Sequence, residues 1–238
     1  MKIIDAHSHI DYITHRYQAD VVGTVCCTVD EFQWDILVDM VSHSNKIYAA
    51  FGIHPYYVKF VDSGFELRLE SLLKTNRNFM VGEIGLDKNK PDMDKQIDVF
   101  IKQFEVAVRV KRSVFIHCVG AWDKILHILK QYKKSDLPII VFHAFNASDD
   151  IFNYLLMHYE NVMFSFGKNA LYGKNCRIQQ IPIDKILVES DENRDVILKD
   201  IVDKIAVIKN EKDASDIIYD NTQRVLKKWT GCIELLCY

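Results

Sequence analysis

Two histidines near the start of the chain, His7 and His9, have the spacing of a metal site. In an extended segment, residues i and i+2 point to the same face, so both imidazoles can reach one ion while Asp5 orients them from nearby. The apolar pair Ile3-Ile4 just before them indicates a short strand. The motif alone leaves two readings open, since two histidines after an apolar run are as often a structural or surface pair.

Further potential ligands follow other apolar runs along the chain. They are His54 in Gly52-Ile53-His54-Pro55, Glu83 in Val81-Gly82-Glu83, His117 after residues 114–116, His143 after residues 139–142, and the carboxylates of Glu189-Ser190-Asp191. Taken singly, a histidine at a strand end is more often a hydrogen-bonded structural residue than a ligand. Four histidines and two carboxylates gathered in one low-dielectric place are costly to bury unpaired, and a divalent cation satisfies them together. The remaining histidines, predicted to be surface or packing residues, are His15, His43, His127 and His158.

The elements that must position these residues alternate along the chain. Eight apolar runs rich in β-branched residues predict buried strands at residues 3–4, 21–25, 47–51, 79–84, 114–116, 139–142, 162–166 and 186–188. Segments with helical spacing lie at residues 31–45, 66–75, 94–111, 122–132, 149–158, 195–209 and 214–229. Residues 11–20 are too few and too polar for a confident helix and predict a loop or a single turn.

Eight such units in 238 residues favour a closed (β/α)8 barrel, or TIM barrel, over an open doubly wound sheet. No Pro-, Gly- or Ser-rich linker divides the chain, so residues 1–238 are predicted to form a single domain. The candidate ligands then lie on the rim formed by the carboxyl ends of the strands, where barrel enzymes carry out their chemistry. No G-x-G-x-x-G or G-x-x-x-x-G-K-[ST] motif supports a dinucleotide or P-loop site.

The composition of the chain limits its possible cellular compartments and binding partners. With 33 acidic and 30 basic residues, the net charge is −3, so no global basic excess indicates a nucleic-acid partner. Small basic clusters such as Lys88-Asn89-Lys90 can contact phosphate, although each is more often a solvated helix end. The absence of an 18-residue apolar run and of a signal-peptide pattern predicts a cytoplasmic protein without membrane contact.

The six cysteines show no C-x-x-C pairing and are predicted to be reduced thiols. Cys118 adjoins His117, but neighbours on a strand point to opposite faces. Core packing is therefore predicted for Cys118. The apolar tail at residues 232–238 is expected to pack against the outer helices, which favours a monomer.

The motifs also resemble the successive signatures of the TatD family of metal-dependent hydrolases. The similar stretches are Asp5-Ala6-His7-Ser8-His9-Ile10-Asp11, Gly52-Ile53-His54-Pro55, Gly82-Glu83-Ile84-Gly85-Leu86-Asp87, Ile116-His117, Phe142-His143-Ala144-Phe145, Glu189-Ser190-Asp191, and Asn221 with Arg224-Val225-Leu226. The family belongs to the amidohydrolase superfamily of metal-bearing barrels, and its characterised members are mostly deoxyribonucleases. The resemblance therefore implies a hydrolase whose substrate and partner is DNA.

The resemblance implies two divalent cations per chain, such as Mg²⁺, Mn²⁺ or Zn²⁺. The implied ligands are His7, His9 and Asp191 for one cation, His117 and His143 for the other, and Glu83 as the bridge. Two cations about 3.5–4 Å apart can acidify a shared water and neutralise charge on the leaving oxygen. Asp191 is also expected to take the proton from that water, which makes Asp191 and Glu83 the catalytic candidates. The residues expected to orient ligands or substrate are Asp5, His54 and Glu189.

Two departures from the family pattern affect the substrate. Val119 stands where many members carry an arginine that could contact phosphate. Glu192 and Asp195 add acid beside the site, which Arg194 or Lys168 can partly offset. The leading hypothesis is a TatD-type deoxyribonuclease that hydrolyses phosphodiester bonds. Hydrolysis of a small-molecule amide, lactone or phosphoester is the alternative, and a metal-binding protein with little catalysis is a third reading.

Overall fold

Eight parallel strands form one sheet in which each strand pairs with the next in chain order. The computed structural model describes residues 1–13, 18–168 and 177–227. The strands are β1 Ile3–Ser8, β2 Val21–Cys27, β3 Ile47–Phe51, β4 Met80–Asp87, β5 Val114–Val119, β6 Ile140–Phe142, β7 Val162–Phe166 and β8 Ile186–Val188. The sheet curls until Ser8, at the end of β1, makes a parallel bridge with Asp191, beyond β8. The predicted barrel is confirmed.

Helices follow most of the strands and cover the outside of the sheet. Those in the described ranges are α1 Trp34–Ser42, α2 Phe65–Thr75, α3 Met93–Val110, α4 Trp122–Leu129, α5 Asp149–His158, α6 Leu198–Lys209 and α7 Ala214–Leu226. In α3, the longest of them, Phe100, Phe104 and Ala107 are buried at intervals of four and three residues. This spacing is the reason that one face of α3 packs against β4.

Two connections lack an α-helix where they are described. Between β1 and β2, a single 3-10 turn at Ile10–Tyr12 agrees with the predicted loop or turn. Between β7 and β8, the described residues form short 3-10 turns at Arg177–Gln179 and Ile183–Lys185. Within the described ranges, no helix is long and apolar enough to cross a membrane.

The three strands that carry candidate ligands run further than their apolar sequences predicted. β1 extends to Ser8, β4 to Asp87 and β5 to Val119. Backbone ladder bonds do not require apolar side chains, so a strand can continue through buried polar residues that a hydrophobic run does not reveal. His7 and His117 consequently lie within strands rather than at strand ends, and Glu83 lies within β4, as its apolar run predicted.

Apolar side chains pack on both faces of the sheet. The larger cluster lies between strands and helices, and a smaller one includes Phe115, Val141 and Leu187. Each of these three residues precedes a polar rim residue by two positions (His117, His143 or Glu189), so it shares that residue's face. The interior of the barrel is therefore filled by apolar side chains before the rim and is polar at the carboxyl end of the strands.

Candidate metal centre

The carboxyl-end rim brings together all six predicted ligands and His54. His7 lies in β1 and His9 just after it, and Glu83 and His117 lie within β4 and β5. The loops after β3, β6 and β8 supply His54, His143 and Asp191. Among these residues only His117 and Asp191 are more than slightly exposed. The sequence prediction that these side chains converge is confirmed by their positions.

One oxygen of Glu83, Oε2, faces the residues where β1 and the end of β8 meet. Oε2 lies 3.3 Å from Nε2 of His7 and 3.3 Å from Nε2 of His9. Oδ1 of Asp191 approaches the same two nitrogens, at 3.7 and 3.5 Å. Asp191 adopts a left-handed backbone conformation with φ of 54°, and its N–H donates to the carbonyl of His7 at 2.9 Å. These contacts hold its carboxylate against the two histidines.

The other oxygen of Glu83 faces the opposite side of the rim. Oε1 lies 2.7 Å from Nε2 of His143 and 3.0 Å from Nδ1 of His117. The two nitrogens are 3.1 Å apart. Glu83 thus stands between two groups of ligand atoms and presents one oxygen to each.

These two groups fit divalent cations. Four ligands about 2.1 Å from a cation stand about 3.4 Å apart in a tetrahedron. The separations on the Oε2 side of Glu83 are close to this value, at 3.3 to 3.7 Å, and those on the Oε1 side are shorter, at 2.7 to 3.1 Å. His7 Nε2 and Glu83 Oε1 are buried, and the described residues supply neither with a hydrogen bond of acceptable geometry. Buried polar atoms are normally satisfied. A cation bound in these groups would supply such a partner, and the donor set of imidazole and carboxylate suits Zn²⁺, Mn²⁺ and similar ions.

Hydrogen bonds at the outer ring edges orient two of the histidines. Nδ1 of His9 lies 3.1 Å from the carbonyl of Cys27, which can only accept, so this nitrogen carries a proton and Nε2 faces Glu83. Nε2 of His117 lies 3.4 Å from Oδ2 of Asp87, and Nδ1 faces Glu83. Such outer contacts fix the tautomer that leaves a lone pair for a cation.

His54 differs from these histidines in its hydrogen bonds. Its Nδ1 accepts the N–H of Tyr56 at 3.3 Å, so the proton of the neutral ring lies on Nε2, 3.3 Å from Glu83 Oε1. Burial lowers the pKa of His54 despite the attraction of Glu83. A neutral imidazole that presents Nε2–H toward Glu83 is suited to orient Glu83 or a substrate oxygen, and not to ligate a cation through Nε2.

Asp5 and Glu189 hold neighbouring segments in place. Oδ1 of Asp5 accepts the N–H of Ser190 at 2.9 Å, and Oδ2 accepts its hydroxyl at 2.6 Å. Oε1 of Glu189 accepts the N–H of Ala144 at 2.7 Å. Asp5 thereby fixes the residue before Asp191, and Glu189 fixes the residue after His143.

Burial and neighbouring charges shift the pKa values of the histidines and carboxylates at the centre. Burial alone would lower the pKa of His9, but Asp191 and Glu83 raise it to about 10. Burial alone would raise the pKa of Asp191, but the hydrogen bond from His9 lowers it to about 2. Burial also opposes ionisation of Glu83, yet the positive charge of His143 holds its pKa well below the usual value. The carboxylates are therefore ionised and demand positive charge.

Sequence reasoning missed several residues around the centre. Asp87 contacts His117, the Sγ of Cys27 lies 3.4 Å from His7 Nδ1, and the ring of Tyr56 packs edge-on against His54 with centroids 4.3 Å apart. Asp87 carried a signal, because Glu83, Gly85 and Asp87 share one face of β4 under a period of two. Cys27 and Tyr56 carried none, since their contacts depend on neighbouring elements.

The prediction for Cys118 is confirmed, since it packs against the main apolar cluster and burial raises its pKa to about 12. His43 and His127 are exposed on or next to helices, and His158 is half-buried against Tyr154. His15 and the tail at residues 232–238 lie outside the described residues.

A cavity of about 610 Å³ opens beside Asp191. Its lining residues are Tyr12, Asp191, Glu192, Asn193, Arg194 and Asp195. Glu192 and Asp195 are exposed there. The acid predicted to lie beside the site is therefore on the β8 side of the rim.

A parallel eight-stranded barrel with histidines and carboxylates gathered at its carboxyl-end rim is the architecture of a metal-dependent hydrolase. The sequence profile of the TatD related DNase family matches residues 4–227. The chain belongs to this family of TatD-type nucleases and metal-dependent hydrolases.

Individual relatives agree with this assignment. The human 3'-5' RNA nuclease TATDN2 is 29% identical over 164 residues, which cover 66% of this chain and 21% of that protein. The chain therefore spans about a fifth of that relative. The 3'-5' ssDNA/RNA exonuclease TatD of Rahnella sp. is 24% identical over 77% of this chain and 78% of its own. The crystal structure of YJJV, a TATD homolog from Escherichia coli, superimposes with a TM-score of 0.78 at 20% identity, covering 94% of this chain and 97% of that one, and shares the fold.

Proposed function

We propose that this chain is a divalent-metal-dependent deoxyribonuclease that hydrolyses phosphodiester bonds at DNA ends. The observation that carries the proposal is the split of the Glu83 carboxylate, with Oε2 facing His7 and His9 and Oε1 facing His117 and His143. The nuclease names of the human and Rahnella relatives support the choice of nucleic acid as substrate.

The proposed ligand assignment uses two cations. His7, His9 and Asp191 would hold one cation, His117 and His143 would hold the other, and Glu83 would contribute to both. Bound cations at this spacing would supply Lewis acidity to the phosphate, a lowered pKa to the attacking water and charge neutralisation to the leaving oxygen. The mixed imidazole and carboxylate donors admit several divalent metals.

Each of the other catalytic and positioning roles is assigned to one side chain. Asp191 has the most exposed side chain of the ligand set, at 40%, and its carboxylate receives the proton of the attacking water. His54 presents Nε2–H next to Glu83 and donates to a substrate oxygen. Glu83 stays ionised and fixes the spacing of the two groups. Asp5 and Glu189 hold the backbone beside Asp191 and His143.

The decisive assay measures release of nucleotides from a DNA oligonucleotide with Mg²⁺ or Mn²⁺. The parent protein is expected to cleave, and Glu83→Gln or Asp191→Asn is expected to reduce cleavage below detection. Glu105→Gln changes an exposed carboxylate of α3 in the same way and serves as the control. Metal analysis of each variant separates loss of cation from loss of chemistry.

The cavity beside Asp191 favours one competing function. Its volume and its acidic residues Glu192 and Asp195 suit a small substrate better than a polyanion. Turnover of a small lactone, amide or phosphoester, with no DNA cleavage under any divalent metal, would replace the nuclease proposal with this alternative.

A further inference from the structure

We propose that Lys90, held over the ring of Tyr56, binds a phosphate of the substrate strand next to the scissile one. The inference rests on the proposed phosphodiesterase function and assigns part of the path of the strand across the rim. In this role Lys90 replaces, from the loop after β4, the cation that Val119 does not provide after β5.

Lys90 lies close to the candidate metal centre. Its Nζ lies 3.9 Å from the ring centroid of Tyr56, and that centroid is 6.0 Å from the centroid of His117. The two distances place the ammonium no more than about 10 Å from His117, outside the ligand groups but beside them. Lys90 is half-buried, and a cation over an aromatic face is restrained without being neutralised.

Backbone contacts hold both partners in place. The N–H of Lys90 donates to the carbonyl of Asp87 at 3.1 Å, and its carbonyl accepts from Gln96 Nε2 at 3.3 Å. Tyr56 is fixed at its backbone, where its N–H donates to Nδ1 of His54 at 3.3 Å. Lys90 is therefore held by the same residue, Asp87, that orients His117. A cation held this way loses little conformational freedom on binding an anion.

The loop of Lys90 lies beside the position of the missing arginine. The N–H of Lys88 donates to the carbonyl of Val119 at 2.8 Å, so the segments after β4 and β5 run side by side. A side chain from either segment reaches the same region of the rim. Val119 is 36% exposed and offers only an apolar surface there.

Exposed acids in the loop after β8 make that part of the rim less favourable to a polyanion. Glu192 and Asp195 are exposed beside Asp191, and Nη2 of Arg194 donates to the carbonyl of Asp11 at 2.7 Å. That guanidinium is partly engaged and stands among acids. A polyanion leaving the centre therefore meets less repulsion over Tyr56 and Lys90 than over the β8 loop.

The test compares Lys90→Gln with Lys88→Gln, a change of an exposed lysine in the same loop. Steady-state kinetics are measured on a single-stranded oligonucleotide and on bis(p-nitrophenyl) phosphate, which has a single phosphate, at several salt concentrations. For Lys90→Gln, KM for the oligonucleotide is expected to rise roughly tenfold and the salt slope to fall by about one. Its kcat, its turnover of the small substrate and all values for Lys88→Gln are expected to stay near those of the parent.

Variants of Tyr56 test whether its ring positions Lys90. Tyr56→Leu is expected to raise KM as Lys90→Gln does, with no further increase in the double variant, whereas Tyr56→Phe keeps the ring and the KM. Equal KM and salt slope in Lys90→Gln and Lys88→Gln would overturn the inference. An equal loss on both substrates in Lys90→Gln would also overturn it, since it indicates damage to the centre.

A binding measurement distinguishes failure of the proposed function from failure of the inference about Lys90. If the parent cleaves neither phosphodiester, that function fails, and fluorescence anisotropy of the labelled oligonucleotide still decides the inference. Weaker binding by Lys90→Gln than by Lys88→Gln supports the phosphate contact, and equal dissociation constants refute it.

Discussion

Oδ2 of Asp87 lies 3.4 Å from Nε2 of His117, on the ring edge opposite the one that faces Glu83. A carboxylate can only accept at that position, so it keeps the proton of the neutral ring on Nε2 and leaves the lone pair of Nδ1 directed at the centre. Asp87 is thus a positioning residue that acts through His117.

Asp87→Asn is predicted to weaken metal binding. An amide can turn its NH₂ group toward Nε2 and favour the tautomer with the proton on Nδ1, so the affinity for the cation is expected to fall about 10- to 100-fold. Competition with a chelating dye measures the change. Asp123→Asn alters an exposed aspartate after β5 and is the control. Unchanged affinity in Asp87→Asn would remove its positioning role.

Metal uptake is predicted to release protons at pH 7. The pKa of His9 is raised to about 10 in the metal-free chain, so its ring is charged at neutral pH and must lose a proton to become a ligand. Metal affinity should therefore increase as pH rises. Calorimetry in buffers of different ionisation enthalpy reports the number released. A heat that does not depend on the buffer would contradict the prediction.

Gly85→Ala is predicted to disturb the centre from inside the barrel. A Cβ at this position would meet the carbonyl oxygen of His117 at 1.9 Å, so β5 must shift. We expect a loss of about 1–3 kcal/mol in the free energy of unfolding together with weaker metal binding. Gly64→Ala, at a left-handed position before α2, should cost stability alone. Denaturation with and without metal separates the two effects.

Glu70→Gln is predicted to reduce stability at neutral pH but less in acid. Arg109 donates to Glu70 at 2.6 Å, and these bonds, with Lys74, lower the pKa of Glu70 to about 2. This contribution is present above the unfolded-state pKa and is lost as pH falls toward 2. Since Arg109 and Lys74 are exposed, we expect a difference of no more than about 1 kcal/mol at pH 7. Urea unfolding at pH 7 and pH 3, with Glu160→Gln as control, measures it.

The barrel could be predicted because its strands are mostly apolar runs at regular intervals. Runs such as β7, Val162–Phe166, coincide with the observed strand. The ends of β1 and β5 could not, because buried polar residues continue them, and His7 and His117 were placed at strand ends for that reason. The convergence of the ligands followed from the parallel topology, which brings all carboxyl ends to one rim.

The surroundings of the ligands were less accessible to sequence reasoning. The contact between Cys27 and His7 joins two strands, and the approach of Lys90 to Tyr56 joins two loops. Both depend on the directions of side chains that no spacing in the sequence encodes. Asp87 is the exception, since its position two residues beyond Gly85 on a strand placed it on the face of Glu83.

The bridge between Ser8 and Asp191 has a consequence for the newly made chain. His7 and His9 are synthesised before Asp191, which follows only after seven further strands. On the proposed assignment, a nascent chain therefore carries an incomplete first cation position until β8 docks against β1 and closes the barrel. On that assignment, the first cation position and the closed barrel are completed in the same event.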